Sequence, residues 1–192
     1  MNKWWQYWPG KLSPEFCKQI TTLALQISPA SAVVGNKQTQ RKDESIRRSQ
    51  IRWLSKQDPR FANLFHTIEN TVNEGNKNAF GFDLSYYNDV QFTEYDSAYA
   101  GHYSWHQDTE WANYTFHQRK LSLVIQLSNE NDYQGGDLEF LQEDCLELPK
   151  YEDIRKQGTM ILFPSFLRHR VTPVTSGVRY SLVTWVEGPK FR

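Results

Sequence analysis

The sequence has little cysteine: only Cys17 and Cys145 occur among its 192 residues. Two cysteines are too few for a disulfide framework, and neither has the spacing of a metal-binding cluster. We therefore expect both thiols to be reduced, as is usual in a cytoplasmic protein, although a single bridge between them stays open.

Long apolar runs are also absent. No stretch approaches the ~18 consecutive apolar residues of a transmembrane helix, so we expect no membrane span. The N-terminal segment MNKWWQYWPGKL is rich in Trp, but it lacks the continuous apolar stretch and small-residue cleavage site of a signal peptide. We expect it to belong to the folded protein, with its Trp side chains in core packing or in an oligomer contact.

The chain has no excess of charge of either sign, because 22 Lys and Arg balance 22 Asp and Glu. This is not the basic footprint of a protein that grips phosphate backbones, so we expect no nucleic-acid partner. Aromatic residues, in contrast, make up 15% of the chain, with seven Trp and ten Tyr. Such a share is typical of a thick β core or of an aromatic-lined cleft.

Two amphipathic helices are predicted in the first half of the chain. Ser13 and Pro14 are a typical N-cap and first helical residue. The apolar face of this first helix is predicted to contain Phe16, Ile20, Leu23 and Ile27. Asp58-Pro59 opens the second helix, and Gly75 is its expected end. Its apolar side is predicted to contain Phe61, Leu64, Phe65, Ile68 and Val72. Between the helices, the polar stretch 36–48 is interpreted as a connecting loop or a mobile lid.

Short segments rich in β-branched and aromatic residues follow from about Leu84 onward. The predicted strands are Ile51–Leu54 before this point, and then Val90–Tyr95, His102–His106, Leu121–Leu127, Asp137–Leu141, Met160–Phe163, His169–Val174 and Tyr180–Val186. Turns are predicted at Gly135-Gly136 and Ser176-Gly177. Many short strands after two helices predict an α+β protein built on a double-sheet barrel or jelly roll. We divide it into a helical support region, 1–83, and a β core, 84–192, which together form one structural unit.

A candidate metal site begins with His106 and Asp108. Side chains two residues apart on a strand point to the same face, so an imidazole and a carboxylate can converge on one ion. His169 follows 61 residues later, at the start of another predicted strand. Two His and one carboxylate form the facial triad of non-haem iron(II) oxygenases, which leaves further coordination positions open.

Arg179 is a candidate for binding an anion. It lies ten residues after His169, in a strand rich in Val, Tyr, Leu and Trp, so its burial is expected. A buried guanidinium needs an anionic partner, and the carboxylate of an oxo-acid matches it bidentately. A surface charge or a structural ion pair is the other interpretation.

Seven sequence blocks, in order over roughly residues 90–190, resemble the prolyl-4-hydroxylase-like (PKHD-type) branch of the 2-oxoglutarate/Fe(II) dioxygenases. They are Gln91-Phe92-Thr93-x-Tyr95, Gly101-x-Tyr103-x-Trp105-His106-x-Asp108, Lys120-Leu121-Ser122-Leu123, Tyr133-x-Gly135-Gly136-Asp137-Leu138-x-Phe140, Phe163-Pro164-Ser165-Phe166, His169-Arg170-Val171-x-Pro173-Val174 and Arg179-Tyr180-Ser181-Leu182-Val183-x-Trp185. The first 80 residues resemble the helical support of this family only in general pattern.

The resemblance implies a double-stranded β-helix core, and it implies Fe(II), 2-oxoglutarate, O2 and ascorbate as a reductant. It assigns His106, Asp108 and His169 to iron and Arg179 to the far carboxylate of 2-oxoglutarate. Three further residues, Tyr95, Tyr103 and Gln126, are implied to bind the co-substrate or to order the metal site. Tyr99 is the alternative to Tyr95, and Trp185 is expected to form a wall of the pocket. Glu110 and Trp111 are either at the substrate entrance or ordinary loop residues.

The resemblance also implies hydroxylation of a C–H bond, with a proline in a peptide or protein as the expected substrate. One alternative is an AlkB-type nucleic-acid demethylase, although that group has a second Arg where this chain has Trp185. Another alternative is a catalytically inactive β-barrel that binds a ligand. The intact triad and Arg179 favour an enzyme.

Overall fold

The fold is that of a computed structural model, which describes residues 4–32, 42–111, 116–145 and 147–191. The first helix, α1, spans Pro14–Leu25 and begins as predicted. The hydroxyl of Ser13 accepts a hydrogen bond from the backbone N–H of Phe16 (3.2 Å), and Pro14 is the first helical residue. Its buried face is centred on Cys17, Ile20 and Ala24, with the other predicted apolar residues half-buried beside it.

The second helix, α2, spans Ala62–Gly75 and follows a 3₁₀ turn, Pro59–Phe61. The predicted apolar side is confirmed, because all five of its residues are buried. The α-helix ends at Gly75 as predicted, but not through a left-handed glycine, since the φ of Gly75 is −64° and a π turn, Asn76–Phe80, continues to a left-handed Gly81. Gly75 is instead required by packing: a Cβ there would lie 2.6 Å from Leu162 and 2.8 Å from Trp8.

Thirteen strands occur among the described residues. They are β1 (Gln6–Trp8), β2 (Ala30–Ser31), β3 (Arg47–Arg48), β4 (Gln50–Leu54), β5 (Tyr86–Tyr87), β6 (Val90–Asp96), β7 (His102–His106), β8 (His117–Gln126), β9 (Tyr133–Gly135), β10 (Leu138–Phe140), β11 (Met160–Pro164), β12 (His169–Val171) and β13 (Val174–Pro189). A short helix, α3, spans Tyr151–Arg155.

The strands form two antiparallel sheets. The larger has the order β1-β11-β8-β13-β6-β4-β2, with β5 and β9 also paired to β13, and the smaller has the order β10-β12-β7-β3. This arrangement is the predicted α+β fold with a double-stranded β-helix core. Residues before 84 contribute strands to both sheets, and the division of the chain at residue 83 stays a prediction.

Strand β13 differs from the prediction of a turn at Ser176-Gly177. The strand runs continuously through Gly177, which has a φ of 72° and marks a bend. Before the bend β13 pairs with β9, and after it β13 lies between β6 and β8. A Cβ at Gly177 would lie 2.2 Å from the carbonyl oxygen of Asp132, so the close approach of β9 requires glycine. The other predicted turn is confirmed, because Gly135 and Gly136 both have positive φ.

The N-terminal Trp cluster contributes to core packing, as expected. Strand β1 pairs with β11 at one edge of the larger sheet. Trp5 is buried in a hydrophobic cluster with Phe140, Ile154 and Phe163, and its indole N–H donates to the carbonyl of Glu147 (2.8 Å). Within the described ranges, no helix is both long enough and apolar enough to cross a membrane.

Candidate metal and oxo-acid site

The three predicted metal ligands converge at the edge of the smaller sheet. His106 ends β7, Asp108 follows it by two residues, and His169 begins β12 directly opposite His106. The Nε2 atoms of His106 and His169 lie 3.7 and 3.5 Å from the two carboxylate oxygens of Asp108. One ligand atom from each residue lies within 4.8 Å of the others. Two ligand atoms that share an ion at about 2.1 Å are about 3 Å apart at a right angle, so a small contraction would close the triad on one metal.

Backbone carbonyls orient both imidazoles. The Nδ1 atom of His106 lies 2.8 Å from the carbonyl oxygen of Ser104, and Nδ1 of His169 lies 2.9 Å from that of Leu167. Each Nδ1 must carry the proton to donate these bonds, which leaves Nε2 unprotonated and facing Asp108. Burial and the neighbouring His169 lower the pKa of His106, so its ring is neutral and available as a ligand.

Asp108 is held through its carboxylate and through its backbone. The hydroxyl of Ser122 donates to Oδ2 of Asp108 (2.7 Å), and the backbone N–H groups of Asp108 and Thr109 donate to the carbonyl of Ser165. Burial alone would raise the pKa of Asp108, but the two imidazoles, Arg119 and the Ser122 hydroxyl together lower it. The group is therefore ionised, as a metal ligand must be.

Arg179 is buried in β13, with 1% of its surface exposed. Its Nη2 donates to the side-chain oxygen of Gln126 (2.8 Å), while Nε and Nη1 are buried without an acceptor among the described residues. Unpaired buried guanidinium donors are costly, and an anionic ligand in this space would supply the missing acceptors. Glycine at 136 keeps this space open, since a Cβ there would lie 3.0 Å from Cδ of Arg179. The donors thus fit the far carboxylate of an oxo-acid.

One cavity of about 420 Å³, measured out to its open mouth, contains both ends of the site. The residues that line it are Arg47, Gln91, Tyr95, Tyr103, His106, Asp108, Val124, Leu138, His169, Val171, Arg179, Ser181, Val183 and Trp185. The triad, Arg179 and the expected wall residue Trp185 therefore share one space.

The predicted supporting residues have distinct places. Tyr95 lines the cavity with its ring centre 5.4 Å from the Arg179 guanidinium, whereas the Tyr99 hydroxyl donates to the carbonyl of Glu94. Tyr103 stacks on His106 with ring centres 3.5 Å apart, and burial raises its pKa to about 12, so it stays a phenol. Gln126 contacts Arg179.

The two candidate entrance or loop residues, Glu110 and Trp111, lie toward the protein surface. Trp111 is 54% exposed and contacts the ring of Phe191 at 5.6 Å. Glu110 is half-buried, and its carbonyl accepts from the side-chain amide of Gln118. Neither residue is among those that line the cavity.

Sequence analysis missed three residues of the site. Arg47 lies at the end of the polar stretch interpreted as a loop, yet it belongs to β3 and pairs opposite Tyr103. Residues 36–41 of that stretch lie outside the described residues. Ser122 and Gln91 were also missed. The even spacing of Ser122, Val124 and Gln126 along one strand was the available signal that Ser122 faces the site.

Comparisons with known proteins agree with this geometry. A model of the 2OG-Fe(II) oxygenase superfamily matches residues 90–187, just over half of the chain. A PKHD-type hydroxylase of Synechococcus sp. (strain CC9902) is 38% identical over 86 residues, which are 44% of this chain and 36% of that protein. A PKHD-type hydroxylase of Hyphomonas neptunium is 39% identical over 70 residues, which are 35% and 28% of the two chains. The matches thus span about a third of the length of these relatives.

Solved structures share the fold over nearly the whole chain. A Pseudomonas putida prolyl-4-hydroxylase superposes with a TM-score of 0.71 at 18% identity, covering 98% of this chain and 94% of that one. A Trichoplax adhaerens prolyl hydroxylase, solved with a hypoxia inducible factor peptide fragment, gives a TM-score of 0.74 at 16% identity, covering 96% and 83%. A collagen prolyl hydroxylase of Paramecium Bursaria Chlorella virus-1 gives 0.67 at 21% identity, covering 97% of each chain.

Proposed function

The chain belongs to the 2OG-Fe(II) oxygenase superfamily, and from that premise we propose that it hydroxylates a C–H bond with Fe(II), 2-oxoglutarate and O2, most suitably at a peptidyl proline. One observation carries the proposal. A His-Asp-His triad and a buried guanidinium with two unpaired donors line the same cavity. In an inactive scaffold, nothing would offset the free-energy cost of burying these unpaired polar and charged groups.

We assign the metal to His106, Asp108 and His169. The backbone carbonyls hold both Nε2 atoms toward the ion, and Ser122 fixes the carboxylate that completes the triad. When bound, ferrous iron supplies the oxygen activation that couples oxidative decarboxylation of the oxo-acid to substrate hydroxylation. The role of the chain is placement and electrostatics.

Arg179 is assigned to the co-substrate. The far carboxylate would accept from one of its two unpaired donors, Nε or Nη1, while Gln126 holds Nη2. Tyr95 and Tyr103 flank the same space as aromatic walls with phenol donors. Val124, Leu138 and Val183 exclude water from it, which strengthens the charge pairing.

The proline assignment has support from the similar proteins. The Trichoplax adhaerens enzyme was solved with a peptide fragment, and the other two structures are also prolyl hydroxylases. A peptide or protein is therefore the proposed partner, with ascorbate as a reductant. Free, buried Cys17 and Cys145 suit the proposed cytoplasmic location.

The direct test is turnover by the full chain. The metal-free protein would be loaded with Fe(II) without oxygen, then given 2-oxoglutarate, ascorbate, air and a library of proline-containing peptides, with free proline as a separate arm. We expect succinate release and a peptide mass gain of one oxygen atom, both absent in Asp108→Ala. Oxidation of free proline alone would indicate that the substrate is a small molecule and not a peptide. Absence of succinate in every arm would favour an inactive ligand-binding barrel.

A further inference from the structure

The arginines of the described residues fall into two groups. Six are paired with a carboxylate within 4.0 Å: Arg48, Arg52, Arg60, Arg155, Arg168 and Arg170. Three have no such partner among the described residues, namely Arg47, Arg119 and Arg179. Arg47 and Arg179 line the cavity, and Arg119 lies against the cavity wall at Trp185. The arginines without a carboxylate partner are thus concentrated at one site.

Arg47 is nearly buried, with 7% of its surface exposed. Its Nε donates to the hydroxyl of Ser49 (3.0 Å), and its guanidinium carbon lies 4.6 Å from the ring centre of Tyr103. A hydroxyl and an aromatic ring do not neutralise the charge, and a buried charge without a counter-ion is costly. The position is therefore suited to an anion that comes from outside the chain.

Arg119 is half-buried and lies 3.9 Å from the ring centre of Trp185. Trp185 lines the same cavity as Arg47, so Arg119 lies at the wall of that cavity. Stacking uses only the face of a guanidinium, while its N–H donors point outward in the plane. The edge of Arg119 thus remains available for a hydrogen-bond acceptor.

A third donor lies at the same wall. The indole Nε1 of Trp185 is buried and has no acceptor among the described residues. Asp108 is the one acidic residue among those that line the cavity, and it is committed to the proposed metal ligands and to Ser122. Arg179 is likewise proposed for the oxo-acid. Two guanidinium groups and one indole N–H therefore remain for the primary substrate.

We propose that Arg47 and Arg119 recognise a carboxylate of the primary substrate, so that the preferred substrate is an acidic peptide with Asp or Glu beside the target proline. This inference rests on the proposed function, since it concerns the substrate of the same site. The planar guanidinium edges suit a carboxylate, and the Trp185 N–H suits a peptide carbonyl.

The test compares two peptides that differ in one residue, Glu or Gln next to the proline. With wild-type protein we expect kcat/KM to favour the Glu peptide about tenfold or more, the range for a charge-assisted hydrogen bond. The preference should shrink toward equality in Arg119→Gln and Arg47→Gln, and should diminish in high salt. Arg60→Gln is the matched control, because Arg60 is exposed and paired with Asp58; it should keep the full preference.

Equal kcat/KM for the two peptides with wild-type protein would overturn the inference, as would an undiminished preference in both variants. An increased 2-oxoglutarate requirement in Arg47→Gln, with peptide preference unchanged, would also overturn it. Peptide binding by fluorescence anisotropy, under nitrogen, separates this inference from the proposed function. Tighter binding of the Glu peptide without hydroxylation would support acid recognition while contradicting proline hydroxylation, and equal binding would contradict acid recognition.

Discussion

The cavity has two ends: the proposed metal end, at His106, Asp108 and His169, and the proposed oxo-acid end, at Arg179. They differ in how many of their polar atoms have hydrogen-bond partners. At the metal end, Nδ1 of each imidazole and Oδ2 of Asp108 have partners inside the chain. At the oxo-acid end, Arg179 has one hydrogen-bond acceptor among the described residues, Gln126, and two buried donors without one. The fold thus preorganises the proposed metal ligands, whereas the proposed oxo-acid end needs an anion to complete it.

This difference has a physical origin. Carbonyls two residues before each histidine orient the imidazoles, so the local backbone sets their direction. Arg179 is held by a residue 53 positions away, which is in turn fixed by a bond from its Nε2 to the carbonyl of Ile154 (3.0 Å). A variant at one end should therefore change either Fe(II) binding or the 2-oxoglutarate requirement, but not both.

The largest effect is expected from Asp108→Ala. Loss of the carboxylate removes one ligand and leaves two imidazoles without their shared anion, so both turnover and stoichiometric Fe(II) binding should be lost. Anaerobic titration with Fe(II) measures this. Asp144→Ala, which breaks a surface pair with Arg168, is the control and should bind iron normally. Full iron occupancy in Asp108→Ala would refute the metal assignment.

Arg179→Ala should affect the oxo-acid end of the cavity. We expect the 2-oxoglutarate requirement to increase ~10²-fold, as for loss of a charged hydrogen-bond pair of about 3 kcal/mol. Fe(II) binding should be unchanged, which distinguishes this variant from Asp108→Ala. Arg168→Ala, at the surface, is the control. If the requirement stays constant, another residue holds the carboxylate and the comparison between the ends fails.

Ser122→Ala tests how far preorganisation supports the metal end. Removing the hydroxyl that donates to Asp108 should weaken Fe(II) binding about tenfold, within the range for partners of metal ligands. The KM for 2-oxoglutarate, measured at saturating iron, should change little. The exposed Ser45→Ala serves as the reference. An affinity equal to that of wild-type protein would mean that the backbone alone positions Asp108.

Gln126→Leu should give the smallest effect. It removes the acceptor of one Arg179 nitrogen, so the 2-oxoglutarate requirement should increase roughly tenfold or less, with kcat retained. Gln126→Glu should be worse than the leucine variant, because a carboxylate there would pair with Arg179 and compete with the co-substrate. The opposite order would show that an acceptor for Arg179 matters more than the negative charge added beside the co-substrate.

Sequence reasoning succeeded where local rules decide. The Ser13 cap, the face of α2 and the i, i+2 geometry of His106 and Asp108 depend on neighbours in the chain. The resemblance then connected His169 and Arg179 to them, and the fold brings all four residues to one cavity.

The errors arose where distant contacts decide. Gly75 does end α2 as predicted, but the reason for glycine there was missed: a Cβ would meet Leu162, far along the chain. Gly177 resembled a turn, although its conformation serves the approach of β9 to β13. Arg47 was assigned to a polar loop because its pairing opposite Tyr103 has no local signature. Tertiary pairing of this kind overrides local pattern.

The most direct test of the account is a crystal structure of the protein with Mn(II), as a stand-in for Fe(II), and 2-oxoglutarate under nitrogen. We expect the ion to be bound by Nε2 of His106, Nε2 of His169 and the Asp108 carboxylate. The far carboxylate of the oxo-acid should accept a hydrogen bond from Nε or Nη1 of Arg179. An ion outside the triad, or an oxo-acid carboxylate that does not contact Arg179, would contradict the account.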